Sequence, residues 1–252
     1  LSRGGGSYGS DVLGNRTTAP SGRQWGWDEL GRLVFRKLGD GTKRHHEYDA
    51  SGLKMADHVW NSADQEIRTL VYRYDGGTPF LVRTIGTRTA WNLLSPRGME
   101  GEETVTMANA GGNTWGGQFT YALYDLRGDR IATVDRQGAI SGRRQHDAWG
   151  EVRPGSTTGL GSVLGFCASI GHVQDDEDGG MTYMRARWYE PASGRFVSED
   201  PARDGANWFA YCRNEPLGNT DPSGMFLELL LSTAVEGLLD HKDAAVSQAA
   251  KK

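Results

Sequence analysis

The sequence predicts an all-β protein made of many short strands, and three observations lead there. Its 252 residues include 36 glycines, about twice the usual share. They also include 24 aromatic residues, and that pairing favours tight turns and strands over helices. Finally, a turn-forming signature recurs along the chain, each time leading into a short β-type run. The length suits one large β domain or two smaller ones.

The first nine residues, LSRGGGSYG, satisfy both G-x-G-x-x-G (Gly4, Gly6, Gly9) and G-x-S-x-G (Gly5, Ser7, Gly9). Neither pattern follows an apolar strand, so the segment reads as a loop. Next comes the repeat: an aromatic or polar residue, Asp, two residues, then Gly. Its copies are Ser10-Asp11 to Gly14, Trp27-Asp28 to Gly31, Tyr48-Asp49 to Gly52, Tyr124-Asp125 to Gly128 and His146-Asp147 to Gly150, with Tyr74-Asp75-Gly76-Gly77 degraded. Successive Asp residues lie 17, 21, 26, 50 and 22 positions apart. The Asp can accept backbone N–H bonds and open a turn, while the Gly supplies a positive φ. Runs such as Arg32-Leu33-Val34-Phe35 and Arg130-Ile131-Ala132-Thr133-Val134 follow as strands. Trp27, Tyr48, Tyr74 and Tyr124 are expected to point to one face and stack as an aromatic ladder.

Residues 86–118 are the least regular, with Ser95-Pro96-Arg97-Gly98 and Asn109-Ala110-Gly111-Gly112-Asn113 suggesting long turns between degenerate repeats. Phe119 to Asp125 returns to strand, and Pro154 to Gly165 is a Gly/Ser/Thr connector. Asp175-Asp176-Glu177-Asp178 followed by two glycines lacks the spaced ligands of a calcium loop and reads as a solvated hairpin turn. Cys167 and Cys212 allow one disulfide at most and read as partly buried thiols. The six histidines show no metal-binding spacing, so no metal and no cofactor is expected. A net charge of −4 gives no general pull toward nucleic acid.

The densest stretch is Gly180 to Met225. Arg185 and Arg187 alternate with Met184, Ala186 and Trp188, as in a strand with one polar face. Glu190-Pro191 and Ser193-Gly194 break it, Arg195 to Ser198 restarts it, and Asp200-Pro201 ends it. Asp221-Pro222-Ser223-Gly224 carries a type I turn signature. Two carboxylates thus stand at two chain reversals, with arginines on the strand before them.

This stretch resembles the core domain associated with RHS repeats, through Tyr183, Arg185 to Arg187, Trp188-Tyr189, Pro191, Gly194-Arg195-Phe196, Asp200-Pro201, Tyr211, Asn214, Pro216 and Asp221-Pro222-Ser223-Gly224. In weaker form the likeness to RHS/YD-repeat proteins extends back to the first residues. It implies a spiralling antiparallel sheet, part of a hollow β-shell, that ends in an inward-rolled core. The divisions expected are YD repeats over 1–165, the core over 166–225 and a tail over 226–252. The resemblance further implies a core that cuts its own chain after the D-P-x-G turn, freeing a C-terminal toxin or effector that stays enclosed. Carried over by position, Asp200 and Asp221 would be the catalytic carboxylates, Arg187 their charged partner, and Met225–Phe226 the bond cut. Paired carboxylates sharing a proton suit that hydrolysis, and an adjacent Arg would hold one ionised. Three departures stand out: Met225 where Leu is usual, Glu190 in place of Asp, and a shorter loop from Asp200 to Asp221.

The tail changes character. Phe226, Leu227, Leu229, Leu230, Leu231, Ala234, Val235, Leu238 and Leu239 are apolar, while Glu228, Ser232, Glu236 and Asp240 fall four apart. That spacing predicts a short amphipathic helix too polar and too short to span a membrane. The chain starts on Leu, so its native N-terminus is expected upstream. Two readings remain open. One is the C-terminal part of a secreted or cell-envelope toxin shell, partnered by its own cargo peptide and by secretion machinery or an immunity protein. The other is a non-catalytic surface module whose aromatic residues bind carbohydrate or partner proteins.

Overall fold

The computed structural model describes residues 7–85, 88–95, 98–109, 112–157, 163–203 and 205–229. Thirteen antiparallel strands follow the chain in strict order, from Gly9–Ser10 to Ile140–Arg143, so each pairs with its neighbours in sequence. Behind them comes a four-stranded sheet of Val173–Asp175, Met181–Met184, Arg187–Glu190 and Arg195–Phe196. A two-stranded sheet pairs Asn219–Thr220 with Glu228–Leu229.

The recurrent Asp builds the turns of the long sheet. Asp28 Oδ1 accepts from the Leu30 and Arg32 amides at 3.0 and 2.8 Å. Asp49 does the same for Ser51 and Leu53, Asp125 for Arg127 and Asp129, and Asp147 for Trp149 and Glu151. One carboxylate oxygen thus absorbs two amides that the turn would leave unpaired. The geometry reaches beyond the written pattern: Asp135 binds the Gln137 and Ala139 amides, and Asn61 binds those of Ala63 and Gln65.

The aromatic residues of the repeats do not form the expected ladder. Trp27, Tyr48, Tyr74 and Tyr124 are half-buried and pack against the hydrophobic core rather than one upon another. Three of them tie their polar tips to an earlier strand's backbone: Trp27 Nε1 to the Arg16 carbonyl (2.8 Å), Tyr48 to Leu33 (2.6 Å) and Tyr74 to Lys54 (2.8 Å). Residues 86–118 depart further from expectation. They hold the long strands Arg88–Ser95 and Gly98–Asn109 and the first half of Gly112–Tyr124. Glycine hid them, because Gly101, Gly116 and Gly117 sit inside strands, where they ordinarily signal a turn.

One hydrophobic cluster joins the long sheet (Trp25, Leu33, Val59, Leu70, Tyr72, Val82) to the segment behind it (Val173, Met181, Tyr183, Trp188, Val197). Ion pairs flank that cluster. Residues 175–178 are not a solvated turn: Asp175 binds Arg36 and Arg44, Asp176 binds Arg144, Glu177 binds Arg44 and Arg68, and Asp178 binds Arg23 and Arg36. Glu190 adds Arg16 (2.5 Å) and Arg23 (2.9 Å). Asp178 is 4 % exposed and Arg36 1 %. Burying charge is costly unless each is matched, and here the acids of one segment meet the arginines of the other. Buried among them, His46 places Nδ1 2.5 Å from Asp57 Oδ1, and its Nε2 accepts from Arg36 Nε at 2.9 Å.

The tail's expected helix does not begin at Phe226. Glu228 and Leu229 extend as a strand against Thr220 and Asn219, a pairing with a chain neighbour that local periodicity cannot show. Residues 230–252 lie outside the described residues.

Candidate functional site

The alternating run from Met184 to Trp188 is a hairpin rather than one strand. Met184 pairs with Arg187 across a tight turn at Arg185 and Ala186. Arg185 takes φ +62°, costly for a residue with a Cβ. Its side chain compensates, donating to the carbonyls of Gly77 (2.9 Å) and Ile170 (2.6 Å). The reversal turns Arg187 inward, where it is 4 % exposed.

Arg187 organises what surrounds it. Its guanidinium carbon lies 3.6 Å from the Phe196 ring centroid, a cation–π contact. Nη1 donates to the Trp208 carbonyl at 2.9 Å, and Nε donates to that of Gly224. Nη2 faces both carboxylates, 3.3 Å from Asp221 Oδ2 and 3.7 Å from Asp200 Oδ2. The two acids are 3 % and 5 % exposed. Arg187, Asp200 and Asp221 therefore come together, and the short loop between the acids does not part them from their arginine. A cavity of about 300 Å³ opens beside them, bounded also by Met225 and Leu227.

The Asp221 carboxylate closes the D-P-S-G turn. Its Oδ1 accepts from the Met225 amide at 3.0 Å and the Phe226 amide at 3.1 Å. Ser223 Oγ accepts from the same two amides at 3.2 Å each. Only glycine fits at 224: φ is +74°, and a Cβ would lie 2.2 Å from the Met184 carbonyl oxygen. The Ser223 carbonyl accepts from the Ala186 amide at 3.1 Å. Together these contacts fix the turn: Asp221 holds the Met225 and Phe226 amides, and Arg187 holds the Gly224 carbonyl.

Burial raises the Asp221 carboxyl above the usual carboxylate range, opposed by Arg187 and by the amides of Met225, Phe226 and Gly224. Burial likewise lowers the pKa of Arg187, with Asp200 and Asp221 resisting. A buried pair of acids bridged by one arginine can hold a single proton between them, one acid neutral and the other ionised.

Ser223, Phe196 and the Trp208 carbonyl went unassigned in the sequence. Ser223 stood in the turn motif itself, whereas Phe196 reaches Arg187 through strand pairing and Trp208 through the bridge of its loop to Arg195 and Phe196. His172 also belongs here: it is fully buried, and its Nε2 donates to the Pro222 carbonyl at 3.3 Å. Burial and nearby Arg185 push its pKa down to about 3. The two cysteines are fully buried free thiols in the cluster beneath the site, where burial pushes Cys212 up to about 12.

No family model matches the chain. It is 28% identical over 260 residues to the tRNA3(Ser)-specific nuclease WapA of Bacillus spizizenii, a match covering 89% of this chain and 11% of that protein. It is 26% identical over 265 residues to the toxin protein Tse5 of Pseudomonas aeruginosa, covering 90% of this chain and 19% of Tse5. Among solved structures, a TcdB2-TccC3-Cdc42 crystal structure superposes with a TM-score of 0.66 at 21% identity, over 84% of this chain and 10% of that one. The chain is thus similar in sequence to these two proteins along most of its own length, and similar in fold to the solved structure. It spans only about a tenth to a fifth of the length of these relatives. Among the described residues, no helix is long and apolar enough to cross a membrane.

Proposed function

We propose that this chain is the C-terminal part of an Rhs/YD-repeat shell that encloses and delivers a C-terminal toxin or effector, and that its core hydrolyses the Met225–Phe226 bond within its own chain. Residues 1–165 are the shell segment, 166–225 the cutting core and 226–252 the start or remnant of the cargo. Likeness to toxins supports delivery and a secreted or cell-envelope location; secretion machinery or an immunity protein as further partners is part of the proposal. A single observation carries the cut: Arg187 faces Asp200 and Asp221 together, while Asp221 Oδ1 holds the amide nitrogens on either side of Met225.

Asp200 acts as the base and takes a proton from water, and the water oxygen attacks the Met225 carbonyl carbon. Asp221, whose carboxyl burial raises, carries the pair's proton in this scheme and gives it to the Phe226 nitrogen as the C–N bond breaks. The products are a carboxyl at Met225 and an amine at Phe226, and the pair ends with its one proton on Asp200. In the resting chain Asp221 accepts from that same nitrogen, so its donor role begins once the nitrogen turns pyramidal in the tetrahedral intermediate. Catalyst and bond share one chain, so effective molarity replaces substrate binding, and a single turnover suffices. The test is a time course of newly made chain. Wild type should give two fragments, Asp200→Asn one band, and Arg187→Ala slow or no cutting. Equal behaviour of all three folded chains would sink the proposal.

A further inference from the structure

Met225 and Arg187 line two cavities. One holds the carboxylates; the other, of about 310 Å³, is walled by Trp27, Leu33 and Tyr48 from the long sheet and by Tyr183 and Trp188 from the core hairpin. Its surface is mainly apolar and aromatic, with Arg32, Arg185 and Arg187 also lining it, and a hydrogen bond between the two segments holds it. Trp188 Nε1 donates to the Tyr48 hydroxyl at 3.1 Å, and that hydroxyl donates to the Leu33 carbonyl at 2.6 Å. The backbone entering residue 225 is fixed as well. The Ser223 and Gly224 carbonyls bond to Ala186 and Arg187, and the Met225 amide bonds to Asp221. A side chain at 225 therefore leaves a pinned backbone next to an apolar cavity that half belongs to the repeats.

We propose that this cavity is the subsite for the side chain of residue 225, that it takes an aliphatic group of Met or Leu size, and that the repeats complete it through Trp27, Leu33 and Tyr48. The proposal rests on the reading of the core as a self-cutting unit and adds a condition to it. A core not docked on its sheet lacks one wall of the subsite and does not cut, so assembly of the shell precedes release of the cargo. Subsites of this kind discriminate by about tenfold or more for small changes in apolar volume, and far more strongly against a charge.

The test uses the full chain in two arms. First, wild type, Trp27→Leu, Met225→Leu and Met225→Asp are made by cell-free synthesis, and the cut fraction is followed by mass. Trp27→Leu should cut at least tenfold more slowly than wild type while unfolding cooperatively, and Met225→Asp at least tenfold more slowly than Met225→Leu. Second, in the uncut Asp200→Asn chain, Met225→Ala and Trp27→Leu are made singly and together. Residues sharing one cavity should lower the Tm by less together than the sum of the single changes. Unaltered cutting with additive Tm changes overturns the subsite. If wild type never cuts but the Tm changes are non-additive, the hydrolysis fails and the docking of residue 225 stands. If wild type never cuts and the changes add, both fall.

Discussion

Acidification should destabilise the chain through buried histidines that cannot accept a proton, and His46 is the clearest case. Its Nε2 is occupied by the Arg36 Nε–H and its Nδ1 proton by Asp57, so a second ring proton would point at a guanidinium. Burial, with Arg36 and Lys54 close by, pushes its pKa down to about 3. His172 is also pushed to about 3, and burial lowers His146 in the same sense. The folded pKa lies below the unfolded one, so the unfolded chain binds the proton first. Stability is therefore lost as pH falls from near 6.5 toward 3. At pH 5 the loss comes to about 2 kcal/mol per histidine, or about 4 kcal/mol for His46 and His172 together. Asp178 and Asp221 carry raised carboxyls, which act in the opposite direction nearer their own ionisation. Urea unfolding at pH 7 and pH 5 reads the loss. His46→Gln supplies an amide in place of the ring, should cost stability at pH 7, and should remove about half of the pH 7 to 5 difference. An unchanged difference in that variant, together with a wild-type His46 ring that titrates near 6.5 by NMR, would refute the reasoning.

Three further outcomes follow from single contacts. Gly224→Ala puts a Cβ into the Met184 carbonyl at φ +74° and should cost at least about 2 kcal/mol, with loss of any cut at Met225, read by thermal unfolding and by mass. Asp178→Asn removes a charge matched by Arg23 and Arg36 in a buried network, which should cost about 3–5 kcal/mol in urea unfolding. Tyr74→Phe loses only the 2.8 Å bond to the Lys54 carbonyl and should cost about 1 kcal/mol; a neutral result would show that water replaces it.

Local chemistry made the turns legible and left the assembly hidden. Asp28, Asp49, Asp125 and Asp147 bind amides two and four residues ahead, so a sequence window of five holds the whole device. Arg187, Asp200 and Asp221 were legible through their place in a known motif, and their approach to one another depends on the Arg185 turn. The strands over 88–118 were hidden because their glycines read locally as turns, whereas Phe119 to Tyr124 was legible as strand. The ion pairs between the acidic segment and the long sheet were hidden for another reason: Arg36 meets Asp178 across 142 residues and Arg16 meets Glu190 across 174. No periodicity marks pairs so distant, and Asp175 to Asp178 looked like an ordinary solvated acidic turn. The start of the tail was hidden similarly, since its apolar spacing fits a helix while Thr220 offers Glu228 a strand partner; residues 230–252 lie outside the described residues.

The intact mass of the purified wild-type chain, beside that of Asp200→Asn, tests the central claim most directly. The account predicts two wild-type species, one ending at Met225 and one beginning at Phe226, together summing to the full chain plus one water, and a single full-length Asp200→Asn species. A folded wild-type chain that keeps its full-length mass would contradict it.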